Sequence, residues 1–364
     1  MKKYGIVSFC NIYVLPYAKT YIDAIRNKGA ECTLIFWDRD TSDGVHDNYR
    51  GCIIKSFQKL CTNESPAIDK IRGYIEGVRF FNRVLMESNY DGVVFLQTHA
   101  AVACMQTLLK KYRNRYIVDI RDWTLEHIPI YKFIERKCII NSFCTVLSSP
   151  AYKSFLPDYS YTIAHNFTPF FSDNIEKWRS SLDFKNKKEI ISISFVGTIR
   201  FVDMDKKILS LFANDSRFKI NYFGIGSEIL KKYCQDNEIM NVEFYGSFSP
   251  EMTESFYNET DLINNLYGNH NNYLDYALSN KLYHAIQFYK PILVCPHTYM
   301  EKIILEYGLG FVFDVDNKTE PDRLFEWYHS FDADGFVSGC KKFLETVIKD
   351  NKNYHVKIGE FLDY

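Results

Sequence analysis

The chain reads as an α/β protein of two domains whose parallel sheets face each other across a cleft. Three observations predict this. Short apolar runs alternate with helical stretches along most of the sequence, the pattern of strand–crossover–strand units. The series stops near residue 170 and restarts at Ile190, leaving a polar, charged stretch over 171–188 that suits a linker. The length of 364 residues matches two domains of roughly 100–200 residues each. The expected organisation is an N-terminal domain over 1–170, a linker over 171–188 and a C-terminal domain over 189–350, with 351–364 packing back onto the first domain.

In the first half, residues 4–9 form a strand, followed by the loop Cys10–Pro16. Tyr17 to Lys28 is a helix with Tyr21, Ile22 and Ile25 inward, closed by Gly29. Cys32–Trp37 and Cys52–Phe57 are the next strands, with polar residues 38–51 exposed between them. The first loop lacks the glycine pattern of dinucleotide sites, which argues against an ordinary nicotinamide or flavin enzyme. Ile68 to Met86 reads as a helix with Ile68, Ile71, Ile75, Val78 and Leu85 inward. Lys70, Arg72, Arg79 and Arg83 give it a positive outer side, with Phe80 off the stripe. Such a helix can rest on an anionic membrane, although a solvated charged face is the plainer reading.

Gly92–Leu96 is a strand ending in Gln97-Thr98-His99, and Ala100–Tyr112 is helical. Arg115–Ile120 is another strand, followed at once by Arg121-Asp122-Trp123. His99 and Asp122 therefore lie at the carboxyl rim, where open sheets bind ligands. A lone histidine is more often structural; its place at a strand end makes it a candidate. Ile128–Asn141, Phe143–Leu147 and Tyr161–Ala164 supply a helix and two strands, and residues 165–170 end the sheet.

The second half begins with the buried strand Ile190–Val196, which runs into Gly197-Thr198-Ile199-Arg200. Lys206 and Lys207 sit on the following helix. Arg200 and Lys206 can converge on one diphosphate, arginine as a fork and lysine as a point charge; ordinary surface cations are the alternative. Lys219–Phe223 ends in Gly224-Ile225-Gly226-Ser227-Glu228, glycines that permit a tight turn beside a helix start. Val242–Tyr245 is a strand, Glu251–Tyr257 a short helix and Asp261–Leu266 a strand. A polar loop, Tyr267–Leu278, leads to a helix capped by Ser279 or Asn280, with Leu282, Ala285 and Ile286 as its apolar stripe. It stops at Lys290-Pro291 and feeds a buried strand. Strand, polar loop and helix start together form phosphate sites in α/β proteins, and also occur in βαβ units without a ligand. Phe311–Val315 is a late strand, and Pro321–Phe331 and Phe336–Lys349 are helices.

The formal charge is −1 and no arm is strongly basic, so nucleic acid is not an expected partner. Ten cysteines are scattered without paired spacing, and Met1-Lys2-Lys3 runs straight into a strand rather than a leader. A reducing, cytoplasmic setting is expected. No apolar run reaches the roughly 18 residues of a spanning helix, and no clustered metal motif is seen.

The second half resembles the nucleotide-sugar domain of retaining GT-B glycosyltransferases, family 4-like, with two Rossmann-like domains; the resemblance extends over the whole chain, is most specific in residues 193–294 and is weak before residue 90. The likeness rests on Phe195-Val196-Gly197-Thr198-Ile199-Arg200 with Lys206, on Tyr222-Phe223-Gly224-Ile225-Gly226-Ser227-Glu228, and on Ser279–Val294 with its Lys290-Pro291 turn. His165-Asn166-Phe167 is similar to the family's interdomain crossover. The resemblance implies a hexosyl or related transfer from a UDP- or GDP-linked donor to a glycan or lipid-linked acceptor. It implies a capsule or O-antigen setting at the inner face of the membrane, with no cofactor and no metal. By the same resemblance Arg200 and Lys206 hold the diphosphate beside Gly197, and Gly224 and Gly226 lie near the base. His99 lies by the donor sugar and Asp122 on the acceptor side. The family's donor-facing glutamates fall at His284 and Tyr276, with Asn280 and Lys281 placed to compensate and Ser279 beside them at the donor site. Two other readings share the pattern: a nucleotide-sugar epimerase, and a non-catalytic glycosyltransferase-like partner subunit.

Overall fold

A computed structural model describes residues 1–40, 49, 51–62, 64–169 and 188–364. The expected linker, 171–188, lies outside the described residues except for Lys188. The chain divides into two compact units, one of Met1–His165 with Lys349–Tyr364, the other of Asn166–Ile348.

The described residues of the first unit hold a parallel sheet of order β3-β2-β1-β4-β5-β6-β7. Its strands are β1 (Lys3–Ser8), β2 (Glu31–Asp38), β3 (Ile53–Gln58), β4 (Gly92–Leu96), β5 (Tyr116–Ile120), β6 (Cys144–Leu147) and β7 (Tyr161–Ile163). Strands β4, β5 and β6 are buried throughout, which is why they read as apolar runs, interrupted only by the buried Asp119 in β5 and Thr145 in β6. Helices α1 (Ala18–Asn27), α2 (Ala67–Glu87), α3 (Thr98–Ala103), α4 (Met105–Lys111) and α5 (Pro129–Ile140) make the crossovers. The run Ala100–Tyr112 is thus two helices, broken at Cys104.

Helix α2 corrects the expected burial. Its inward residues are Gly73, Gly77, Phe81, Val84 and Leu85. Ile68, Ile71 and Ile75 are 74%, 61% and 46% exposed. The cause is space: a Cβ on Gly73 would lie 2.7 Å from the Trp37 ring, and one on Gly77 3.5 Å from Phe57. Two glycines one turn apart let the helix settle on these rings, and the isoleucines turn outward. Phe80 is not free either; it packs on Phe57 and Phe81.

The second unit holds a parallel sheet of order β10-β9-β8-β11-β12-β13. The strands are β8 (Ile191–Val196), β9 (Phe218–Phe223), β10 (Val242–Tyr245), β11 (Leu262–Asn265), β12 (Ile292–Val294) and β13 (Gly310–Val312). Its helices are α6 (Val202–Leu211), α7 (Glu228–Asp236), α8 (Thr253–Asn258), α9 (Asn272–Asp275), α10 (Asn280–Phe288), α11 (Tyr299–Tyr307) and α12 (Glu320–Ser330). Helix α10 is capped by Ser279, whose Oγ accepts from Lys281 N at 3.3 Å, and it ends at Tyr289 in the left-handed region. The expected helix Phe336–Lys349 and residues 351–363 of the expected C-terminal segment form one helix, α13 (Ala333–Asp363). Phe336, Cys340, Phe343, Leu344 and Val347 join the core of the second unit. Tyr354, Ile358, Phe361 and Leu362 join that of the first.

Candidate functional site

In each sheet the strand order reverses between two central neighbours, β1 and β4 in the first, β8 and β11 in the second. Open parallel sheets bind ligands outside the carboxyl ends of strands at such a reversal.

In the second unit, the loops after β8 and β9 run side by side. Gly197 N donates to Phe223 O at 2.8 Å, and Ile199 N to Ile225 O at 3.0 Å. The approach needs glycine. Gly224 has φ +140°, and a Cβ there would lie 1.9 Å from Gly197 O. Gly226, at φ +95°, would bring one to 3.3 Å from Ile199 O. Arg200 ends the first loop and is exposed.

Lys281 reaches this rim from the first turn of α10 and is only 5% exposed. Its Nζ donates to the Tyr267 hydroxyl and lies 4.0 Å from the Phe195 ring centroid and 4.7 Å from that of Tyr267. The same Nζ sits 3.7 Å from where a Gly197 Cβ would be. Burial pushes the amine down to about 7, Asp205 opposing and Arg200 assisting. Asp205 is buried on α6, accepts from the Tyr222 hydroxyl at 3.0 Å, and is pushed up to about 6 by burial.

Lys206 points elsewhere. Its ammonium lies 5.6 Å from the Tyr233 ring centroid on α7, and the Tyr233 hydroxyl bonds Ser210, one turn further along α6. The inward residue of that turn is Asp205, one position earlier. Asn280 is exposed at the start of α10. His284 pairs through Nδ1 with the Tyr257 hydroxyl at 2.8 Å, and burial lowers its pKa to about 4. The structure therefore gathers Gly197, Arg200, Gly224, Gly226 and Lys281 at one rim. Asp205 and Tyr267 belong with them and were not singled out from the sequence. Tyr267 had a readable signal, an aromatic two residues past a buried strand.

In the first unit, His99 sits at the start of α3 with its ring 5.5 Å from Phe9, edge-on. Burial, helped by Arg39, lowers its pKa to about 4, so the imidazole is neutral at pH 7. Gln97, between β4 and α3, holds φ +77°, uncommon for a residue with a side chain. Strain of this kind collects at functional loops. Asp122 is exposed directly after the buried Arg121. Arg121 is fixed by two bonds to Asp119, at 2.5 and 2.9 Å, and one to Ala164 O at 2.9 Å. It sets where the Asp122 loop leaves the sheet. Among the described residues no group of three metal-ligating side chains comes together.

No protein-family model matches the sequence, and no curated protein matches it. Solved structures do. Sucrose-phosphate synthase from Thermosynechococcus elongatus matches with a TM-score of 0.71 at 10% identity, over 99% of this chain and 98% of that one. Anabaena HepE in complex with UDP matches at 0.64 and 11%, over 99% and 100%. The lipopolysaccharide outer core galactosyltransferase WaaB matches at 0.66 and 12%, over 97% and 99%. A UDP-N-acetylglucosamine 2-epimerase candidate from Listeria monocytogenes matches at 0.53 and 11%, over 94% of each chain. The fold is that of the GT-B glycosyltransferases, two parallel-sheet Rossmann-like units. At these identities the likeness is one of fold.

Proposed function

We propose that this chain is a glycosyltransferase. It moves a sugar from a UDP- or GDP-linked donor to a glycan or lipid-linked acceptor in surface polysaccharide assembly, with retention. The observation that carries the reading is the glycine-lined rim at the β8–β11 reversal, with Arg200 exposed on it and Lys281 buried behind it. A sugar nucleotide has a good leaving group that needs its developing negative charge met as the glycosidic bond breaks. Fixed cations and loop amides meet it without reorganising. HepE was solved with UDP, which supports a uridine donor here.

The first unit then serves the acceptor. A neutral His99 suits hydrogen bonds to sugar hydroxyls better than proton transfer near pH 7. Asp122 orients the acceptor hydroxyl, whose proton passes to the departing phosphate. The outward Ile68, Ile71 and Ile75 of α2, together with exposed Arg72, Arg79 and Arg83, offer an apolar and cationic face to an anionic membrane. No helix among the described residues is long and apolar enough to cross a membrane.

The test is a thermal-shift screen of nucleotide sugars, since a ligand that binds the folded state raises its melting temperature. Turnover of the best binder follows, with Arg200→Ala expected to lose about a hundredfold in kcat. Wild-type kcat and kcat/KM in a folded Arg200→Ala protein would sink the reading. The epimerase match favours a second reading, and product analysis separates the two. An epimerase changes the donor sugar's configuration without an acceptor; a transferase yields a new glycoside.

A further inference from the structure

We propose that Lys281, not Lys206, is the second cation on the donor diphosphate, and that it gains a proton as that anion arrives. This rests on the nucleotide-sugar reading and names residues of the same site.

An ammonium has three hydrogens to donate. Among the described residues the one side-chain hydrogen-bond partner of Lys281 is the Tyr267 hydroxyl. Asp205, the nearby carboxylate, bonds Tyr222 instead. The other neighbours include the faces of the Phe195 and Tyr267 rings, the loop cation Arg200, and His284 one turn along α10. A buried ammonium so poorly matched favours its neutral form, and burial holds this amine near 7 rather than 10.5. Gly197 leaves the approach open, because Nζ lies 3.7 Å from the position a side chain would take. A diphosphate on the Gly197 loop supplies the missing acceptors and the opposite charge. The amine then binds one proton from solvent, and no covalent bond changes. Lys206, with its ammonium against Tyr233, has no such relation to the loop.

The experiment is isothermal titration of the full chain with UDP and with GDP. It is run at pH 6 and pH 8, each in two buffers of different ionisation enthalpy. Wild-type protein should take up close to one proton per nucleotide at pH 8 and far less at pH 6, with affinity falling toward about tenfold per pH unit above 7. Lys281→Met should bind at least about tenfold more weakly, with the uptake gone. Lys206→Ala should stay within about twofold of wild type. Wild-type affinity and uptake in Lys281→Met, or loss of binding in Lys206→Ala alone, overturns the assignment. Should the variant fail to fold, wild-type uptake decides: heats at pH 8 that do not depend on buffer overturn it equally. Wild-type protein that binds neither nucleotide overturns the underlying nucleotide-sugar reading as well, and so separates the two failures.

Discussion

Lys281→Met should stabilise the protein at pH 6 by more than at pH 9, although it removes a residue of the proposed site. Burial lowers the folded-state pKa of this lysine from 10.5 to about 7. Between those values the unfolded chain holds a proton that the folded chain has released. Wild-type stability therefore rises with pH across that window, and below pH 7 the full penalty of the buried charge applies. At roughly 1.4 kcal/mol per pKa unit the penalty is about 5 kcal/mol. Some 2.5–3 kcal/mol of it, by the order of magnitude linkage gives, is relieved between pH 6 and pH 9. Methionine fills similar space and carries no such slope. The assay is urea unfolding followed by tryptophan fluorescence, because Trp327 packs on Phe311 in the core of the second unit. Subtracting one protein's curve from the other's at each pH cancels every titrating group they share. A difference that stays constant from pH 6 to pH 9 would refute the reasoning, since the lysine would then be charged throughout.

Gly224→Ala should lower the melting temperature and weaken UDP binding tenfold or more. Its Cβ would meet Gly197 O at 1.9 Å in a left-handed backbone whose strain alone is about 1–3 kcal/mol. Gly246→Ala, with open space around it, is the control, and equal behaviour of the two would contradict the loop contact. Arg200→Lys should lose most of the turnover that Arg200→Ala loses, because a point charge does not reproduce a forked contact; near-full activity would remove the fork from the mechanism. Asp122→Asn keeps size and removes charge, so kcat measured at saturating acceptor should fall, and an unchanged value would exclude Asp122 from catalysis. Replacing Ile71 and Ile75 with Ser, or Arg72, Arg79 and Arg83 with Gln, should each reduce co-sedimentation with anionic vesicles, and unaltered binding would rule out α2 as the contact.

Much of the architecture was legible because buried parallel strands leave apolar runs, unbroken in Gly92–Leu96 and interrupted only by Ser192 and Ser194 in Ile191–Val196. What escaped notice depended on contacts distant in sequence. The inward face of α2 was misjudged because Gly73 and Gly77 carry no hydrophobic signal, and only Trp37 and Phe57 explain why they are buried. Helix α11 had a readable mark: Thr298 accepts from Glu301 N at 3.2 Å, and the Glu301 side chain accepts from His297 N at 2.7 Å, a variant of the capping box. At the site, spacing alone paired Arg200 with Lys206. The one-residue shift that turns Asp205 inward is set by Tyr222 and Lys281, from β9 and α10. Lys281 was legible as part of a helix start, but its burial was not.

Helix α13 bears on how the chain is made. The first unit relies on Tyr354, Ile358, Phe361 and Leu362 for part of its core. Leu362 O also accepts bonds from Lys2 Nζ at 2.9 Å and Tyr4 Oη at 2.8 Å. A ribosome releases β1 early and those four side chains only after the whole second unit, a lag on the order of ten seconds or more at common translation speeds. During that interval the nascent first unit has an open apolar seam that chaperones can grip. Expressing residues 1–165 alone would make the seam permanent, so a soluble fragment has to be built as a fusion that returns 349–364 to it.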